Sequence, residues 1–150
     1  MPESLGVDFI NRVLATSEGL LRESQHFFRP LGVTEAQFNV LNVLAHAPAG
    51  LSQRELGDVL VVDRSNVTGL LDRLEKAGWV RREDHPQDRR IHRVMLTAKG
   101  RQLWTKVWPL YVDAVEKVVA GLANADIKHA LASLAVLEEG AKKWGREMRA

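Results

Sequence analysis

Leu51 to Thr97 reads LSQRELGDVLVVDRSNVTGLLDRLEKAGWVRREDHPQDRRIHRVMLT, a pattern of helix, short turn, helix, and two short strands joined by a basic loop. Ser52 opens the first helix with Glu55 three residues on, a capping box that satisfies two orphan backbone donors. Leu51 before the cap and Leu56 after it are spaced as a hydrophobic staple. Asp63 opens the second helix, with Val62 and Val67 in the same staple positions. Val67, Leu70, Leu71 and Leu74 then fall at i, i+3, i+4 and i+7, one buried stripe. The opposite face carries Ser65, Gly69, Asp72 and Lys76, flanked by Thr68 and Arg73. A helix with a small, polar outer face, entered from a tight turn, suits a DNA major groove. Gly78 ends it as a C′ glycine.

Trp79 and Val80 begin one β-prone run, and Ile91, Val94 and Leu96 lie in a second. Between them His85-Pro86-Gln87-Asp88 has turn composition, since Pro fixes φ and Asp caps its own turn. The hairpin carries Arg81, Arg82, Arg89, Arg90 and Arg93, and guanidinium groups suit phosphates and a narrow minor groove. Taken alone, it also reads as a solvated arginine-rich hairpin on an ordinary domain. Behind the helix pair it reads as the wing of a winged helix. The expected fold is therefore mainly α: a winged helix-turn-helix with a two-stranded β-wing at 34–97. Helices at 1–30 and 98–150 flank it as a dimerisation lobe.

The run from Asp88 to Thr97 resembles the wing signature D-x-R-x-x-x-x-x-L-T of the multiple-antibiotic-resistance regulator (MarR) family. VTGLLDRLEKAGWVRR, Val67 to Arg82, is similar to that family's recognition helix and first wing strand. These motifs are specific between Leu51 and Gly100 and generic elsewhere, although the helical layout matches over nearly the whole chain. The resemblance implies that Arg90 reaches into the minor groove and that Asp88 holds it there. It also implies a dimer built from the N- and C-terminal helices, and repression by blocking polymerase. A small phenolic or amphipathic effector would bind between dimer helices and DNA lobe.

Bulk properties set the bounds. A chain of 150 residues suits one domain or one compact subunit. At 45% hydrophobic and 27% charged it has the composition of a globular protein rather than a disordered one. No apolar run approaches the roughly 20 residues of a membrane span, and MPESLGVDFINRV lacks the basic start and apolar core of a signal peptide. A cytoplasmic location is expected. With no cysteine there is no disulfide, no Cys-ligated zinc and no thiol switch of the kind used by the family's hydroperoxide sensors. The net charge of +2 is unevenly spread: residues 64–101 hold ten Lys/Arg against five Asp/Glu, and the rest of the chain is net acidic. Positive charge is thus concentrated where DNA would lie.

A first helix is expected from about Ser4 to Phe28, closed by Pro30 and Gly32. Thr34 caps a second with Gln37 as box partner and Val33 and Phe38 as staple; Phe38, Leu41, Leu44 and Ala45 form its buried side. Thr97 caps a long helix in which Gly100 is a mild cost and Pro109 predicts a kink. Its apolar residues from Leu103 to Val119 form a stripe wider than one lobe would bury. A terminal helix, roughly Asp126 to Met148, repeats the theme with Ile127, Leu131, Leu134, Leu137 and Trp144. Such excess apolar surface fits burial against a second copy, and two-fold symmetry implies a palindromic operator.

For the DNA itself, Arg64, Ser65, Asn66 and Thr68 are the candidate major-groove residues, Asn suiting adenine and Thr a thymine methyl. Arg73, Arg81, Arg82 and Arg93 are candidate backbone contacts. His26, His46, Trp104, Trp108 and Tyr111 are candidates for the effector cleft, though aromatic residues at helical spacing are more often core. His26, His46 and His129 lack metal-ligand spacing, so no metal or cofactor is expected. Neither a Gly-rich phosphate loop nor a nucleophile elbow is present. Glu83-Asp84 reads as salt-bridge partners for the wing and Glu138-Glu139 as a solvated helix face. An enzyme is not expected. The alternative is a winged-helix protein-interaction module that does not bind DNA, which leaves the basic segment unexplained.

Overall fold

The computed structural model describes residues 4–60, 66–85 and 88–149, with backbone alone at 85 and 88–91. Its elements run α1 (Leu5–Phe28), a 3-10 turn (Arg29–Leu31), α2 (Glu35–Ala45), β1 (Leu51–Ser52), α3 (Gln53–Val59), α4 (Val67–Lys76), β2 (Val80–His85), β3 (Asp88–Leu96), α5 (Ala98–Val119) and α6 (Asn124–Glu147). Both complete capping boxes expected from sequence form. Thr34 Oγ1 accepts from Gln37 N at 3.2 Å while Gln37 Oε1 accepts from Thr34 N at 2.9 Å. Ser52 and Glu55 exchange the same pair of bonds at 3.2 and 2.7 Å. The opening of α4 by Asp63, with its Val62 staple, lies outside the described residues.

The winged-helix core is one cluster. Val40, Leu41 and Leu44 of α2 pack with Leu56 and Leu60, with Val67, Leu70, Leu71 and Leu74 of α4, and with Val80 and Val94 of the sheet. All four residues of the α4 stripe are buried, as their spacing predicts. On α2 the buried side is wider than expected: Val40 is fully enclosed while Ala45 is only half-buried, because the helix is covered from more than one direction.

Three strands, not two, form the sheet, in the order β1-β3-β2. Leu51 lies opposite Val94 and Ser52 opposite Arg93, so the residues that staple and cap α3 also extend the wing sheet. Two residues are too few to show a period of two, which is why the strand is invisible in the sequence. β2 and β3 pair antiparallel from Val80–Leu96 to Asp84–His92, with an irregularity at Asp84/His85.

The end of α4 and the start of α5 are fastened together. Gly78, at φ +74°, donates to Glu75 O, and Trp79 N donates to Leu74 O, a Schellman ending. Thr97 Oγ1 donates to Gly78 O at 2.7 Å and accepts from Gly100 N at 3.0 Å, while Lys99 Nζ donates to Ala77 O at 2.9 Å. Gly100 is more than the mild propensity cost expected of it. A Cβ there would sit 2.0 Å from the Trp79 carbonyl oxygen, so only glycine allows this approach.

The chain divides into compact units at 1–108 and 109–150, the boundary falling within α5 at Pro109, whose missing N–H leaves a gap in the helix ladder. Among its 24 residues α1 buries Phe28 alone, and α6 buries none. No helix among the described residues is long and apolar enough to cross a membrane.

Candidate nucleic-acid interface

α4 presents two chemically opposite faces. Behind it lies the leucine stripe; in front, Thr68, Gly69, Asp72, Arg73 and Lys76 are exposed. Among the described residues a Cβ added at Gly69 would meet nothing within 4 Å, so none of them demands a glycine there. Asn66 precedes the helix in helical geometry, exposed and with no side-chain capping bond. Thr68 is held from α3: Gln53 Nε2 donates to its Oγ1 at 2.5 Å. Arg73 has no side-chain partner among the described residues. Arg64 and Ser65, the other two major-groove candidates, lie outside the described residues.

The four arginines expected at the DNA backbone divide sharply. Arg82 donates to Asp72 Oδ1 at 2.7 Å and to both oxygens of Glu75, its backbone N–H taking one and its guanidinium the other. The hydrogen bond to Asp72 foremost, then Glu75, raises the Arg82 pKa against the opposing effect of partial burial. In this structure the Arg82 guanidinium, expected at the DNA backbone, ties the wing to α4. Strand alternation is the reason. Val80 is buried, and Arg82 two residues on shares its inner face, whereas Arg81 faces outward. Arg81 pairs with Glu83 on that outer face. Arg93 donates to Ala49 O at 2.7 Å, bridging the wing to the loop before β1. His92 and Asp84, directly opposite each other, stand 3.0 Å apart. Both acidic residues of Glu83-Asp84 thus serve the wing, as read from sequence. The pairing expected between Asp88 and Arg90 concerns side chains outside the description, as does the turn at Pro86-Gln87.

Two polar residues escaped the sequence reading. Gln53 and Arg54, in the first turn of α3, line a shallow groove with Gly57, Asp58 and Val67 beside the start of α4. Arg54 is exposed on the helix that precedes the reading helix, which in helix-turn-helix proteins crosses the DNA backbone. That geometric rule was the available signal; a lone arginine in a helix carries none.

The effector-cleft candidates come together only in part. Trp104 and Trp108 stack with ring centroids 5.7 Å apart, and His46 meets them edge-on at 5.8 and 6.1 Å. Asn42 fixes the group: its Oδ1 accepts from Trp104 Nε1 at 3.1 Å, and its carbonyl lies 2.8 Å from His46 Nδ1. Trp104 also packs on the winged-helix core. His26 is exposed on α1 and outside this cluster, and Tyr111 belongs to the other compact unit. A separate concavity of about 350 Å³ is lined by Phe28, Arg29, Val33, Thr34, Glu35 and Gln37, none of them a candidate from sequence. Burial pushes the Glu35 carboxyl above its ordinary range.

Comparison with known proteins agrees with this arrangement. A model of the MarR family matches residues 31–91, from the 3-10 turn after α1 into β3. The HTH-type transcriptional regulator YkoM of Bacillus subtilis is 32% identical over 77% of this chain and 71% of its own length. The crystal structure of reduced MarR from E. coli is 29% identical, with a TM-score of 0.67 over 95% of this chain and 97% of that one. AbsC, a MarR family transcriptional regulator from Streptomyces coelicolor, superposes with a TM-score of 0.85 at 23% identity, covering 95% and 99% of the two chains. With a paired helix-turn-helix, a three-stranded wing and this similarity, the chain belongs to the MarR family of DNA-binding transcriptional regulators.

Proposed function

We propose that two copies of this chain, joined through the apolar faces of α1 and α6, repress transcription by occupying a palindromic operator. The observation that carries this reading is α4 itself: a helix locked from behind by four buried apolar residues, with an outer face of small and polar groups. Asn66 and Thr68 read base edges, together with Arg64 and Ser65. Arg73 and Arg54 neutralise phosphates, with Arg81 and Arg93 adding charge from the wing. Arg90, positioned by Asp88, enters the minor groove. A phenolic or amphipathic ligand seated near His46, Trp104 and Trp108 changes the spacing of the two reading helices and releases the DNA.

Fluorescence anisotropy across a salt series tests it, with random duplex and a duplex selected by the protein from a random pool. The expected result is sequence-preferring binding whose affinity falls steeply with salt, as counterion release requires. Arg90→Ala should cost about 1–3 kcal/mol of affinity with the fold intact. No binding to either duplex at low salt would overturn the proposal.

A further inference from the structure

We infer that Gln53 is a positioning residue for DNA specificity, acting through Thr68. The inference rests on the reading of Thr68 as a base-contacting residue and adds what sets its presentation. Thr68 stands in the first turn of α4, exposed, on the polar face of the helix. Its Oγ1 and γ-methyl share one Cβ, so turning χ1 exchanges what the side chain offers to a groove: a hydroxyl for a methyl. A threonine in a helix divides between two χ1 states, since its hydroxyl has alternative partners. An unsupported Thr68 would therefore present a mixture.

Gln53 removes that freedom. It projects from the first turn of α3, a helix anchored by the Ser52–Glu55 capping box and by fully buried Leu56. The bond from Gln53 Nε2 to Thr68 Oγ1, 2.5 Å long, spans the two helices of the motif and fixes where the oxygen lies, hence also where the methyl lies. Because the amide donates, one lone pair of Oγ1 is occupied and the hydroxyl proton is left to donate elsewhere. One rotamer with one hydrogen-bond polarity discriminates between base pairs better than a rotating group. Gln53 needs no contact with DNA to contribute this.

The test measures discrimination, not affinity alone. The duplex selected by the wild-type protein and its single-base-pair variants are titrated by anisotropy against wild type, Gln53→Ala, Thr68→Val and the double variant. Thr68→Val should lose preference at one base pair. Gln53→Ala should erode preference at that same pair by about fivefold, the low end of what one mismatch is worth, while random-duplex affinity and its salt dependence stay unchanged. The double variant should be no less selective than Thr68→Val alone. Gln53→Glu keeps the reach but accepts instead of donating, and should shift the preferred base at that pair. A uniform loss of affinity for every duplex in Gln53→Ala, with preference intact, overturns the inference and leaves Gln53 a packing residue. If Thr68→Val itself keeps full preference, the base-reading role of Thr68 fails, and the inference fails with it. Unfolding curves for each variant separate these outcomes from loss of fold.

Discussion

α4 and α6 are both amphipathic helices, and a sequence pattern alone would treat them alike. α4 has ten residues and buries four; α6 has twenty-four and buries none. Leu71 is fully enclosed, while Leu131 and Trp144 are 62% and 67% exposed. The difference is not in hydrophobicity but in where the partner surface comes from. The stripe of α4 is completed by α2, α3 and the sheet, all within a short stretch of the same chain. That of α6 is left open by its own chain, as a surface reserved for a second copy would be. The reading helix is packed on local structure, and in the proposed dimer the long helices supply association.

Paired truncations give the largest effect expected. Leu71→Ala should lower the unfolding free energy by about 2–5 kcal/mol in urea melts, the range for removing an enclosed leucine. Leu131→Asp should leave the winged-helix lobe intact and instead weaken self-association at least about tenfold by sedimentation, since burying a leucine is worth about 1.5–3 kcal/mol. A Leu131→Asp variant that sediments as wild type would assign the α6 stripe to something other than a second copy, and the contrast would collapse.

The wing offers a second contrast, between arginines that look equivalent in sequence. Arg82→Ala strands Asp72 and Glu75 without their partner and should cost about 1 kcal/mol of stability, a modest figure because the network is partly solvated. DNA affinity should fall with little change in the salt slope, because the loss is in how the wing is held to α4. Arg73→Ala should do the reverse, leaving stability within about 0.5 kcal/mol and reducing the salt slope by about one. If Arg82→Ala takes a full unit from the slope, Arg82 switches to phosphate in the complex and the distinction between the two residues vanishes.

What was legible in the sequence follows local rules. The capping boxes at Thr34 and Ser52, the leucine stripe of α4 and the glycine ending at Gly78 each depend on residues within one or two turns. Features that needed a third dimension were missed. β1 is too short to have a period, and it exists because β3 lies alongside. Gly100 reads as a poor helix former until the Trp79 carbonyl is seen where its Cβ would be. Gln53 meets Thr68 across fifteen residues, and no spacing rule pairs them. Arg82 is the instructive case, since its inward direction was available from strand alternation counted from Val80. Charge composition drew attention to the arginines as a set, whereas the two-residue period separates them.

Gly69 makes the smallest prediction and the one that cuts both ways. A glycine inside a helix costs roughly 0.5–1 kcal/mol relative to alanine. Among the described residues nothing lies within 4 Å of its missing Cβ, so Gly69→Ala meets no steric objection from them and should raise stability by about that amount. The leucine face of the same helix allows no such liberty, as every position there is filled. If Gly69 is kept for the partner, the alanine methyl stands between α4 and the groove, and DNA affinity should fall by a few fold as thermal stability rises. Opposite signs from one methyl group are hard to obtain by any general perturbation of the fold. A variant that gains stability and binds DNA as wild type would show that the Gly69 position of α4 stands clear of the bases. Recognition would then be confined to the residues at the start of the helix, with Asn66 and Thr68 nearest the groove.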